Sequence, residues 1–395
     1  MKVLFSASLF GLMLASSAAA QSLTYKTGDE IQGKPQTIRV EVARFSEKSG
    51  TFIEGGRVPA SEFNYDSSGR MTRSLVYDFK GALYAKYSAT FDDRGNPTEE
   101  VYYSSKDSIL DKMLYTYDSS GRLIQKEVAK AKTAPRNIIV YKYDNSDRIS
   151  GKSRPEARNS PGYDSTYAYD DQGRKIEVIR YDQKGQLILK SVETFNGQGR
   201  LAEKHVIFGD KSQEWRLTLV YDSKGNLSDE TLNIFGSQGR WRYTYEFDSK
   251  GNWIKKAVLA LTNREGTNTY VPTKVFYRSI TYAGDTDKPA QESSGNLGAI
   301  VLKIETQSYL PADALEHPRP IYPSEAKLRR ETGKVEVFVM VDENGDVISA
   351  KAAPGVPPLL SHAATAAARF WKFAPTLSGG RPVRLVSTTI FNFNL

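Results

Sequence analysis

An aromatic residue returns every 26 positions through the middle of this chain, at Tyr65, Phe91, Tyr117, Tyr143, Tyr169, Phe195, Tyr221 and Phe247. Asp or Asn follows each one, from Asp66 to Asp248. Four positions after each aromatic stands Gly, except at Asp147, and then Arg or Asn. Weaker copies fall near the half-period, at Tyr77-Asp78…Gly81, Tyr181-Asp182…Gly185 and Phe235…Gly239. A fixed period means one supersecondary unit copied in tandem, so residues 60–282 form an array.

The turn chemistry explains the spacing. Asp at the first turn position bonds its own backbone two residues on, and Gly takes the position that needs positive φ, as in a type I turn closed by a bulge. The flanks read as strands, such as Leu114–Tyr117 into Leu123-Ile124 and Arg216–Tyr221 into Leu227, rich in Tyr, Val, Ile, Leu and Thr. Two turns per period leave roughly ten residues for each strand. The expected fold class is mainly β: an antiparallel β-meander repeat array followed by a small α+β C-terminal domain. Whether the meander stays open, curls or closes is not readable.

The aromatic-Asp-x-x-Gly-Arg core resembles the YD repeats of the bacterial RHS family. The resemblance is specific in the turns and weak in the strands. Asp147 in place of Gly, and missing half-repeats near positions 129 and 155, mark irregular loops. Large members wrap such repeats around a toxin. With eight units and no toxin-like segment after them, the resemblance does not extend to a shell here.

At the N-terminus, Lys2 precedes an apolar run from Val3 to Leu14, and Ala18-Ala19-Ala20 offers a cleavage site before Gln21. This reads as a signal peptide over residues 1–20, giving a periplasmic or secreted protein; an uncleaved anchor is the alternative. Residues 21–59 are the least legible; Thr37–Phe45 looks like a strand and is given no role. The chain has no cysteine, so stability comes from packing and repeat stacking. A net charge of +8, spread and not clustered, attracts acidic partners mildly and gives no nucleic-acid signature.

Residues 283–299 are polar, bear Pro, Gly and Ser, and read as a linker. Beyond it, a short helix runs from Ser324 to Arg330, and Val335–Val341 alternates as a strand. Asp342-Glu343-Asn344-Gly345 turns the chain into a second strand, Asp346–Lys351. Pro357-Pro358 opens a helix with an apolar face of Leu359, Leu360, Ala363, Ala367, Phe370 and Trp371, and Val383–Leu395 is a last strand.

Residues 310–395 resemble the C-terminal domain of the TonB family. The matching motifs are Arg319-Pro-Ile-Tyr322-Pro323, Gly333-x-Val335, Val341-Asp342-x-x-Gly345, Phe370-Trp371-x-Phe373-x-Pro375 and Gly380-x-Pro382-Val383. The resemblance implies a three-stranded antiparallel sheet ordered second, first, last, with two helices on one face and the last strand at an edge. Family members use that strand to grip a segment of an outer-membrane receptor. Carried over, the gripping strand is Arg384–Asn394, with Arg384, Val386, Thr388, Ile390, Asn392 and Tyr322 as partner-binding residues.

No catalytic constellation, cofactor motif or metal set is evident. His205, His317 and His362 lie on separate elements, no phosphate loop or nucleophile elbow occurs, and Asp-x-x-Gly lacks the alternating ligands of a calcium loop. The expectation is a non-enzymatic envelope binding protein. Its TonB-like domain docks an extended protein segment by strand addition, with the array as spacer or second surface. The alternatives are an anchored TonB-type energy transducer for outer-membrane transport, and a protein binding peptidoglycan or another polysaccharide through its tyrosines.

Overall fold

The computed structural model describes residues 31–130, 133–155, 162–209, 214–234, 237–264, 266–284, 304–306 and 314–394. The proposed signal peptide and most of the proposed linker lie outside these residues. Contacts divide the chain into two compact units with a boundary at Ala299/Ile300.

In the first unit, antiparallel strands follow one another from Val58–Tyr65 to Thr267–Tyr282, each paired with its sequence neighbours. The strand Pro35–Lys48 pairs with both ends of this series: Arg39 lies opposite Ser279 on one side and Glu62 on the other. The meander is therefore closed into a barrel-like ring of 18 strands. The segment without an assigned role in the sequence is the closing strand.

Because each repeat is two strands long, every aromatic-Asp turn returns to the same rim. The turns take the form their residues dictate. In one repeat, Asp118 Oδ1 accepts the backbone N–H groups of Ser120 and Arg122 at 3.0 and 2.9 Å, and Gly121 N–H donates to the Asp118 carbonyl at 2.9 Å. Asp118 Oδ2 takes Arg122 Nε at 2.7 Å. The Arg122 backbone N–H and then its side chain hold the Asp118 carboxyl below its ordinary value.

These arginines also reach forward. The guanidinium of Arg122 lies 5.1 Å from the ring centre of Tyr143, Arg148 lies 4.8 Å from Tyr169, and Arg174 lies 4.6 Å from Phe195. Each tyrosine hydroxyl donates back to the strand that follows the preceding turn: Tyr117 to Pro97 O, Tyr143 to Leu123 O and Tyr221 to Leu201 O, all at 2.8 Å. Phe247 has no hydroxyl, and Tyr245 donates to Leu227 O in its stead at 2.8 Å. A ladder of Asp, Arg and aromatic side chains thus links several neighbouring repeats along one rim, while Asn96 and Asn226 cap their own Asp in the turns that lack the arginine.

The two faces of the ring have opposite character. The outward face carries cross-strand ion pairs such as Lys112–Glu99 at 2.6 Å, Arg216–Glu203 at 3.0 Å and Arg242–Asp229 at 2.9 Å, with the arginines about half exposed. A barrel wall against lipid needs an apolar band about 25 Å tall. Charged pairs along neighbouring strands suit water instead. The enclosed face is filled by its own side chains, among them Tyr87, Met113, Trp215, Leu217 and Tyr243. Even Lys126 and Lys152 there are only 1% exposed, whereas a round ring of this strand number would keep a wet lumen.

Buried carboxylates on this face are bonded. Glu100 accepts Tyr87 Oη at 2.9 Å and Tyr115 Oη at 2.6 Å, and Lys126 Nζ donates to Tyr115 at 2.7 Å. Glu193 takes Lys204 at 2.8 Å, and Glu230 takes Tyr243 at 2.7 Å.

The chain enters and leaves this unit at one place. Pro35 is the register partner of Tyr282, and Ala283 N–H donates to Lys34 O at 2.9 Å. The ring accordingly adds no reach between the segments that precede and follow it, which corrects the reading of the array as a spacer. A meander that closes brings its two ends together.

The rim turns supply a direct test. Gly121 has φ of 82° and Asp147, at the equivalent position, has φ of 57°. A methyl group at Gly121 meets only Arg94 Nη1 at 3.4 Å, so its cost is backbone strain. Gly121→Ala should lower stability by about 1–2 kcal/mol, while Asp147→Gly, which relieves strain and gives up one exposed ion pair, should lower nothing. Urea midpoints of the two variants check this.

Candidate functional site

The second unit is built on a sheet ordered Val347–Ala352, Gly333–Val341, Arg381–Phe393, all antiparallel. The turn Asp342–Asp346 repeats the chemistry of the rim turns: Asp342 Oδ1 accepts the N–H groups of Asn344 at 2.9 Å and Asp346 at 3.0 Å, and Gly345 has φ of 84°. Val335, Val337, Val339, Val341, Leu385, Phe391 and Phe393 form the core with the helices Ser324–Leu328 and Pro358–Ala368, which supply Ala326, Leu360, Ala364 and Ala368.

Phe370, expected on the apolar face of the second helix, is 71% exposed. The helix ends at Ala368 and the N–H groups of Phe370 and Trp371 tighten onto Ala367 O and Ala368 O. The helical spacing fails there, and Trp371 takes the buried place, with Nε1 donating to Pro318 O at 3.0 Å and its ring 5.0 Å from Phe391.

The final strand, Arg381–Phe393, pairs with Gly333–Val341 along one edge from Leu385 to Phe393. Its other edge is not uniformly open. Ile304–Thr306 lies parallel to it, with Ile304 opposite Arg384 and Thr306 opposite Val386. The expectation that the gripping edge is free from Arg384 onward is therefore corrected. A short piece of the same chain takes up Arg384–Val386. From Ser387 to Phe393, the only pairing among the described residues is with Gly333–Val341.

Side chains divide the same way. Arg384, Val386, Thr388, Ile390 and Asn392 share the face away from the helices. Val386 is buried, and Arg384 is buried in an ion pair with Glu343 at 3.0 Å. Thr388 is half-buried, Asn392 is exposed and Ile390 is 41% exposed. Tyr322 sits elsewhere: its hydroxyl donates to Glu331 O at 2.6 Å and its ring packs edge-on against Phe393, 5.3 Å between centres. It braces the strand from the core side. The six residues expected from the sequence thus separate into a brace (Tyr322), a covered end (Arg384 and Val386) and an accessible end (Thr388, Ile390 and Asn392). The covering strand was missed because only three residues pair; the weak alternation of Ile304-Glu305-Thr306 was the signal for it.

Residues 318–395 match the family model for the Gram-negative bacterial TonB protein C-terminal, so this part of the chain is similar to that domain. No curated protein matches the chain. Among solved structures, a porin-like protein from Bacteroides uniformis is similar at 10% identity and a TM-score of 0.37, over 64% of this chain and 99% of that one. TcdB2-TccC3 without its hypervariable C-terminal region is similar at 10% identity and a TM-score of 0.16, over 59% of this chain and 18% of that one. Scores this low carry neither fold nor function.

The buried pair tests how the covered end is held. Removing one partner leaves the other charge buried, a loss of roughly 3–5 kcal/mol. Glu343→Gln should therefore deprotect the Gly333–Val341 amides in hydrogen exchange by that amount. Glu325→Gln, which breaks an exposed pair with Arg329, should change them by less than about 0.5 kcal/mol.

Proposed function

We propose that this is an exported, non-enzymatic envelope protein whose TonB C-terminal domain docks an extended segment of a protein partner by strand addition. The partner class is an outer-membrane receptor or another envelope protein. The observation that carries the reading is the edge from Thr388 to Phe393, which among the described residues pairs with Gly333–Val341 alone. It is a row of main-chain donors and acceptors beside an exposed face of Thr388, Ile390 and Asn392. Main-chain bonds supply affinity there, and the alternating side chains supply selectivity.

Ile304–Thr306 sets one limit of the site. A guest pairs beyond Val386, or it displaces three residues of the chain itself to extend further. The ring serves as a second, water-facing recognition surface, in keeping with its outward ion pairs. Export rests on the signal-like sequence before Gln21, and the turn motif keeps its resemblance to YD repeats.

Photo-crosslinking in intact cells decides the matter. The photoreactive p-benzoylphenylalanine at Ile390 or Asn392 should capture a discrete envelope protein, while the same group at Lys351, on the opposite edge strand, should not. Equal capture at all three positions, or none at Ile390 and Asn392, rejects strand docking at this edge.

A further inference from the structure

Among the described residues, the three most exposed large apolar side chains all belong to the C-terminal unit: Ile321, Leu328 and Phe370, at 88, 86 and 71%. The next, Val220 of the ring, stands at 51%. Single exposed apolar residues are ordinary on a protein surface, so the question is whether these three share one.

The packing beneath them places them together. Tyr322 packs on Phe393, and Trp371 packs on Phe391. Phe391 and Phe393 stand two positions apart on one face of the last strand, about 7 Å. Ile321 and Phe370 are the chain neighbours of those two inward rings, so they emerge near each other on the outer side of the same packing. Trp371 Nε1 also bonds Pro318 O, three residues before Ile321. The helix Ser324–Leu328 is held at the same place: Lys327 Nζ stands 5.3 Å from the Tyr322 ring centre, and the Tyr322 hydroxyl donates to Glu331 O. Ala326 is the buried contact of this helix. Leu328, about 200° further around it, points away from the core.

The surroundings are basic. Arg319, Lys327, Arg330 and Arg369 are exposed. The carboxylates in this stretch, Glu325 and Glu331, are matched by Arg329, which pairs with Glu325 and lies 3.9 Å from Glu331. One of the cations is held against the backbone's preference. Arg330 has φ of 52°; its N–H bonds Lys327 O, and that of Glu331 bonds Ala326 O, as in a Schellman cap. Glycine suits that left-handed position best, and arginine there keeps a cation beside Leu328 at the expense of strain.

We propose that this surface docks on a membrane of anionic phospholipid. Ile321, Leu328 and Phe370 enter the headgroup boundary, and Arg319, Lys327, Arg330 and Arg369 meet the phosphates. Charge complementarity selects an anionic surface. Separate apolar tips on three short segments, with cations among them, suit a fluid interface that closes around each tip. A protein partner has to supply a matching pocket for every one of them. The strand edge Thr388–Phe393 takes no part, so this docking stands or falls apart from strand addition.

The test is co-sedimentation of the chain as exported, from Gln21 onward, with vesicles of phosphatidylcholine with and without phosphatidylglycerol. Binding to the anionic vesicles alone is expected, and it should fall steeply with added salt. Leu328→Ser with Phe370→Ser should weaken it by about tenfold or more, the worth of partly burying a large apolar side chain. Arg330→Gly should weaken it about fivefold, the effect of one cation near such a surface, without lowering the urea midpoint, because it relieves the positive φ. Val220→Ser should change nothing. Equal binding to both kinds of vesicle, no binding, or binding indifferent to the Leu328→Ser/Phe370→Ser pair overturns the proposal. A self-associating chain that the same pair turns monomeric, with no vesicle binding, assigns the surface to a second copy of the chain and overturns it as well.

Discussion

The Asp- or Asn-capped turn at the rim, from which in several repeats an arginine reaches the aromatic ring of the next, is the constraint on which the large unit depends. Hairpins joined only by their own ladders can slip in register, because each strand has a neighbour but no fixed depth. Here the Asp-capped turn fixes the arginine, the arginine fixes the next ring, and the tyrosine hydroxyl returns to a backbone carbonyl twenty residues earlier. The last rung joins the ring's two ends. Tyr282 donates to Asp248 at 2.6 Å, and Asn252 Oδ1 accepts Gln32 N–H at 2.6 Å beside the closing strand. The arginine contact recurs at several rungs, and at the seam Asn252 and Asp248 take its place and bond Tyr282 and Gln32 instead.

Much of this was legible in the residues. Turn positions and strand flanks follow from Gly, Asp and alternating valines, which act over a few residues, whereas the three-strand order of the C-terminal domain was implied by the resemblance to the TonB family. What acts over hundreds was not legible. Closure depends on Pro35–Lys48 meeting a strand more than two hundred residues later, and nothing local in Thr37–Phe45 marks it as a closing strand. The self-covering of Arg384–Val386 by Ile304–Thr306 is likewise a long-range pairing of three residues, too short to carry a period. Phe370 misled for a different reason: helical spacing was extended past the residue where the helix ends.

The faces of the ring argue about function as strongly as its topology. Ion pairs outside and aromatic, partly charged packing inside are the reverse of a wall made for lipid. The ring also starts and ends at adjoining residues, so it acts as a body inserted in the chain and not as an extension of it. The strand addition proposed for the C-terminal domain uses the part of the edge that, among the described residues, Ile304–Thr306 does not cover.

The claim beneath all of this is that the repeat array is a closed ring, and one crosslink measures it. The chain contains no cysteine, and Arg39 on the closing strand and Ser279 on the strand Thr267–Tyr282 are exposed register partners. The double variant Arg39→Cys with Ser279→Cys should form an intramolecular disulfide under mild oxidation, detected as a single crosslinked peptide in the monomer. Free thiols in the monomer, or disulfides found only between molecules, would show that the seam is open and contradict the account.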